Sequence, residues 1–134
     1  MPKLGVVIPA IFERPEYLPL AIASIRESVD AYILLSSPKS PEVEQYLPLV
    51  DQWLEEPEGN LAFKIDHALK ALPAEIPFIT WLGDDDLITA AVNDSIEVLE
   101  KNKDVSLVYG SCDYINPEGK KIGQNPSGDW AAKL

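Results

Sequence analysis

The sequence predicts an α/β domain built on a mostly parallel sheet, and three observations carry that prediction. Short runs rich in β-branched and aromatic residues, too short for helices, recur along the chain. The earliest of these runs are apolar at consecutive positions, as strands covered on both faces are. Between them lie segments whose apolar residues repeat at helical spacing, and strand–helix alternation is what a parallel sheet with helical crossovers requires.

Leu4-Gly5-Val6-Val7-Ile8 reads as the first buried strand, stopped by Pro9. A loop over residues 10–14 leads to Pro15, suited to the first position of a helix. Leu18, Ala21, Ile22, Ile25 and Val29 then form one apolar helix face. Residues 31–35 make a second buried strand that runs out into Ser36-Ser37-Pro38. Pro41 opens a short helix carrying Val43, Tyr46, Leu47 and Val50, and Trp53-Leu54 is a brief third strand before the turn Glu56-Pro57-Glu58-Gly59. Asn60 caps a helix whose core face is Leu61, Ile65, Ala68, Leu69 and Leu72, ended by Pro73 and Pro77.

Phe78-Ile79-Thr80-Trp81-Leu82 is the next strand, cut by Gly83 and followed without a gap by Asp84, Asp85 and Asp86. Thr89 is placed to cap a helix with Val92, Ile96 and Leu99 inward and a Glu97–Lys101 pair outward. Val105-Ser106-Leu107-Val108-Tyr109 reads as a further strand. Residues 111–115 and 120–122 form a hairpin about Asn116-Pro117-Glu118-Gly119. There is no internal repeat. Residues 1–123 are expected to form one domain, with 124–134 a connecting tail, anchored only by Trp130 and Leu134, that leads on to further chain.

A length of 134 residues suits a single core, and 46% apolar with 25% charged residues is ordinary for a soluble globular protein. The 22 acidic against 11 basic residues give a formal charge of −11, which disfavours nucleic acid and anionic membrane surfaces as partners. An anionic nucleotide would be repelled as well unless a metal or local basic groups intervene. Cys112 is the only cysteine, so an internal disulfide is excluded and a buried free thiol is expected. The first apolar run is too short for a secretory leader and no stretch is long enough to span a membrane, so the chain reads as cytoplasmic.

The aspartate triplet is the strongest chemical signal. Three adjacent carboxylates repel one another, and a hard divalent cation with oxygen ligands, shared with phosphates, is the usual compensator. Their place at the exit of a strand is also where open α/β sheets bind ligands. The competing reading is a solvated acidic turn. Other candidates carry plain readings too: His67 as a surface residue, Glu13 and Arg14 as a helix N-terminal pair, Lys64 as a solvated side chain, Ser36-Ser37 as part of a turn, and Trp81 as core.

In their order, four segments resemble glycosyltransferase family 2, the nucleotide-sugar transferases of GT-A fold. Val6-Val7-Ile8-Pro9 with Glu13-Arg14-Pro15-Glu16-Tyr17-Leu18 is similar to the family's opening strand and loop. Gly59-Asn60-Leu61 through Ala68-Leu69 resembles the helix before the metal site, and residues 78–86 resemble the strand with its DxD motif. Residues 105–122 are similar to the following strand and Asn-x-x-Gly-Lys hairpin, so the resemblance spans about residues 4–122. It implies a three-layer α/β/α, Rossmann-like GT-A domain that binds the donor, a nucleoside-diphosphate sugar. It further implies Mg²⁺ or Mn²⁺ held by Asp84 and Asp86, with the register among the three aspartates open. Pro9, Ala10, Glu13, Arg14, Ser36, Lys64, Asp84 and Asp85 would line the nucleotide-sugar site. The acceptor, whether saccharide, lipid or protein, stays open.

The chain departs from the family pattern in specific places. Ser36 and Ser37 stand where the family carries an aspartate that reads the nucleobase, and a serine can hydrogen-bond a base but brings no charge. The opening loop is one residue longer, with Glu13 where asparagine is common, and the family's asparagine near His67 is absent. The family's catalytic base lies in an acceptor-binding half beyond the stretch that matches, so no residue here takes that role and the chain alone is expected to be incomplete for catalysis. The alternative is a degenerate, non-catalytic nucleotide-binding or interaction domain of the same fold.

Overall fold

The computed structural model describes residues 1–125, within which the chain divides into two compact units, Met1–Ile96 and the segment beginning at Glu97. In the first, β1 (Leu4–Pro9), β2 (Ala31–Ser37), β3 (Gln52–Glu55) and β4 (Phe78–Trp81) form a four-stranded sheet of order β3-β2-β1-β4, with every pairing parallel. The expected α/β class and parallel sheet are therefore present, with helices flanking the strands.

Alternation along the two central strands sorts their side chains into two clusters. Leu4, Val6 and Ile8 of β1 and Ala31, Ile33 and Leu35 of β2 pack with Leu18, Ile22 and Ile25 of α1 (Leu18–Ser28). Val7 and Leu34 point the other way and pack with Ala68 of α2 (Leu61–Ala71) and with Leu72 just past its end. Burying strands on both sides accounts for their continuous apolar runs. Gly5 allows the close approach on the α2 side: a Cβ there would lie 2.9 Å from a Leu72 methyl.

Local chemistry sets the helix ends. Asn60 caps α2 as expected, its side chain accepting from the Phe63 N–H at 2.9 Å. Gly59, at φ +138, turns the chain into that cap. Pro15 does not open α1: residues 15–17 form a turn, and the helix starts at Leu18 with Pro19 in its first turn. The Tyr17 N–H is held by the Arg14 carbonyl, which keeps this turn distinct from the helix. The segment after Pro41 is two 3₁₀ turns, Pro41–Gln45 and Leu47–Leu49, that bury Val43 and Tyr46.

Helix α3 (Val92–Lys101) begins three residues after Thr89, whose carbonyl accepts from the Val92 N–H. It buries Ile96 and carries the expected Glu97–Lys101 ion pair. In the second unit, β5 (Cys112–Ile115) and β6 (Lys121–Asn125) form an antiparallel hairpin, its turn held by the Asn116 side chain accepting from the Glu118 and Lys120 N–H groups. Residues 124 and 125 belong to this strand, whereas Trp130, Leu134 and the rest of the expected tail lie outside the described residues.

Two expectations fail in this unit. Residues 105–109 are irregular rather than a strand, with Leu107 76% exposed. An apolar β-branched run becomes a strand only where a neighbour offers its backbone, and none of the described strands pairs with this one. Cys112 is exposed rather than buried, because all four residues of β5 are exposed. Among the described residues, no helix is long and apolar enough to cross a membrane.

Candidate functional site

Parallel strands deliver their C-terminal ends to one edge of a sheet, and that edge carries a cleft of about 520 Å³. Pro9 and Ala10 come from the end of β1, Ile11, Glu13 and Arg14 from the loop that follows, and Trp81 and residues 83–86 from the end of β4 and beyond. Glu56, just past β3, and Leu61 and Lys64 of α2 complete the lining. Of the residues proposed from sequence, Pro9, Ala10, Glu13, Arg14, Lys64, Asp84, Asp85 and Asp86 meet here.

Ser36 does not line this cleft. It is 1% exposed, its carbonyl accepts the Ala10 N–H at 2.9 Å, and its hydroxyl is buried with no hydrogen-bond partner among the described residues. Ser37 is buried too, its hydroxyl accepting from the Trp53 indole N–H at 2.9 Å and donating to the Pro38 carbonyl. Both serines are buried at the end of β2 and neither lines the cleft.

The acidic triplet is anchored by the turn that follows β4. The Leu82 N–H bonds to the Val7 carbonyl, extending the β1 pairing by one step, and the Asp86 N–H bonds to the Gly83 carbonyl, closing the turn. Gly83 lets the Asp86 carboxylate lie close: a Cβ there would be 2.6 Å from Asp86 Oδ2 and would displace that side chain. All three aspartates line the cleft; Asp84 is partly buried, whereas Asp85 and Asp86 are exposed.

Arg14 faces it from the opposite loop. Its Nη1 lies 2.6 Å from Asp85 Oδ2 and its Nη2 3.7 Å from Asp84 Oδ1. Glu13 and Arg14 are not a helix N-terminal pair, since α1 starts at Leu18 and Arg14 turns to these two aspartates. Phe12 aims the loop: it takes φ 63, an uncommon value for an aromatic residue, and its ring stacks on Tyr46 at 5.6 Å between centroids. Lys64 is not merely solvated, since it is half-buried and paired with Glu56 at 2.6 Å.

Electrostatics in the cleft are strained. Burial pushes the Asp84 carboxyl above its ordinary value; Arg14 opposes this, and the charges of Asp85 and Asp86 add to it. Asp86 is raised first by loss of hydration and then by Asp85, again with Arg14 opposing. One guanidinium therefore leaves the triplet incompletely compensated.

Among the described residues, no group of three or more His, Cys, Asp and Glu side chains is arranged to enclose a metal ion. The donor set still fits a hard cation of the Mg²⁺ kind, which is commonly held by one or two carboxylates together with phosphate oxygens and water rather than by an all-protein cage. Asp84 and Asp86 are such carboxylates, on one turn and short of positive charge.

Sequence reasoning missed Glu56, which needed the geometry of the β3–α2 turn to be seen as Lys64's partner. It also placed Trp81 and Leu61 in the core, whereas they are 49% and 57% exposed and line the cleft. Ile79 and Trp81, on the outer strand β4, belong to neither buried cluster and stay exposed. His67 is exposed on α2 and takes no part in the cleft. The sequence matches no protein-family model and no curated protein.

Proposed function

We propose that this chain is the donor-binding part of a metal-dependent glycosyltransferase, a three-layer, Rossmann-like GT-A domain that holds a nucleoside-diphosphate sugar for transfer to an acceptor. One observation carries the reading: the acidic turn after β4, Arg14 and Lys64 converge on a single cleft at the C-terminal edge of a parallel sheet. That edge is where open α/β sheets bind ligands.

In this reading Asp84 and Asp86, on either side of Asp85 in the sequence, would hold Mg²⁺ or Mn²⁺. The ion, when bound, supplies electrostatic stabilisation of the charge that develops on the departing nucleoside diphosphate. The chain's own residues bind and orient. In this reading the base would lie along Pro9 and Ala10, Arg14 would meet phosphate oxygens, and Trp81, Leu61 and Ile11 would supply apolar lining. Glu13 borders the same opening. Transfer needs a base to deprotonate the acceptor, and no cleft residue is assigned that part.

A second reading, a degenerate nucleotide-binding or interaction domain of the same fold, is favoured by Ser36, whose burial removes it from base recognition. Calorimetric titration of the chain with UDP, GDP and dTDP, with and without Mn²⁺, separates the two. Binding that depends on Mn²⁺ supports the donor-site reading, and no binding of any of the three with Mn²⁺ present supports the second.

A further inference from the structure

The cleft contains a charge already in place where a cation would act. Arg14 bridges Asp85 and Asp84 from a loop on the other side, and its side chain is 53% exposed, so it is free to swing away. The second basic residue of the cleft, Lys64, is engaged by Glu56. Asp84 is the carboxylate that Arg14 shares with the proposed Asp84–Asp86 metal pair, and a divalent ion held there would repel the guanidinium 3.7 Å from the same side chain.

We propose that Arg14 is a resident counter-ion for the acidic turn, displaced when a divalent cation binds and thereby released to the diphosphate that arrives with it. This deepens the donor-site reading and rests on it for the identity of the incoming ligand. Without a bound cation, Arg14 lowers the repulsion among the three aspartates. A divalent ion must first compete with it, so the ion alone binds weakly. A diphosphate gives the released guanidinium new oxygen partners in a fork geometry that suits it. Ion and nucleotide therefore assist one another, and the assistance is reciprocal because it is a coupling free energy between two ligands.

The test is Mn²⁺ binding to the intact 134-residue chain with no nucleotide present, followed by paramagnetic resonance of the free ion. Wild type, Arg14→Gln and Arg14→Lys are compared, with circular dichroism verifying that each is folded. Arg14→Gln should bind Mn²⁺ roughly tenfold more tightly than wild type, because a positive charge within contact distance has been removed. Arg14→Lys, which keeps the charge, should stay near wild type. In a second titration, the tightening of Mn²⁺ binding by UDP, GDP or dTDP should shrink in Arg14→Gln.

Equal or weaker Mn²⁺ binding by Arg14→Gln, including undetectable binding by both proteins, overturns the inference. Tighter Mn²⁺ binding by Arg14→Gln without nucleotide binding by wild type would keep the counter-ion role and overturn the donor-site reading instead.

Discussion

Arg14 and Asp85, 71 residues apart in the chain, meet at 2.6 Å across the mouth of the cleft. The contact joins the loop after β1 to the turn after β4, the two segments that neighbouring parallel strands bring to the same edge. Because both partners are substantially exposed, the pair adds little to stability. Arg14→Ala should lower it by about 1 kcal/mol or less, measured by urea denaturation. A larger loss would mean that the loop's fold, rather than the cleft's charge balance, depends on this arginine.

Gly83→Ala tests how tightly the acidic turn is drawn. The new methyl would meet Asp86 Oδ2 and push that carboxylate from its position, while the sheet beneath is untouched. Metal-dependent nucleotide binding should weaken by roughly tenfold or more, with the thermal midpoint nearly unchanged. The magnitude is that of losing one charge-assisted contact. Unaltered binding would show that the position of Asp86 is unimportant.

Gly59→Ala should act on the fold instead. At φ +138 an alanine is strained, and its Cβ would lie 2.8 Å from the Phe63 ring. A loss of about 1–3 kcal/mol is expected from denaturant unfolding. Since α2 carries Lys64, a weaker entry to this helix should also loosen that wall of the cleft.

The raised carboxyls of Asp84 and Asp86 make a prediction about pH. With folded values above the ordinary 3.8, the native state holds more protons than the unfolded chain between the ordinary and raised values. Stability contributed by these groups is therefore greatest in acid and falls as pH rises through that window. Ionised at neutral pH, they destabilise the fold. Asp86→Asn should raise the thermal midpoint at neutral pH, and the gain should vanish below about pH 3.8, where the aspartates are protonated in both states. A gain that persists unchanged in acid would contradict this origin.

Much of the sheet was legible because its signals are local. The doubly apolar runs of β1 and β2, the helical spacing of α1 and the Asn60 cap each state their structure within a few residues. What escaped depends on neighbours distant in sequence. Residues 105–109 have the composition of a strand and no described partner, and Trp81 has the composition of core and an uncovered face. The acidic turn, Arg14 and Lys64 were visible as residue types. That Arg14 would pair with Asp85, that Lys64 would pair with Glu56, and that Ser36 would be buried with its carbonyl on the Ala10 N–H followed only from strand order and turn geometry.

The donor-site reading is tested most directly by the affinity of Asp86→Ala for UDP, GDP and dTDP in the presence of Mn²⁺, measured by calorimetry against wild type. Asp86 lies past the end of β4, outside the buried clusters, so the variant should keep its circular dichroism spectrum. Binding by wild type that is lost in a folded Asp86→Ala is the predicted result. Retention of metal-dependent binding by the variant, or its absence from wild type, would contradict the assignment of the acidic turn to a metal–diphosphate site.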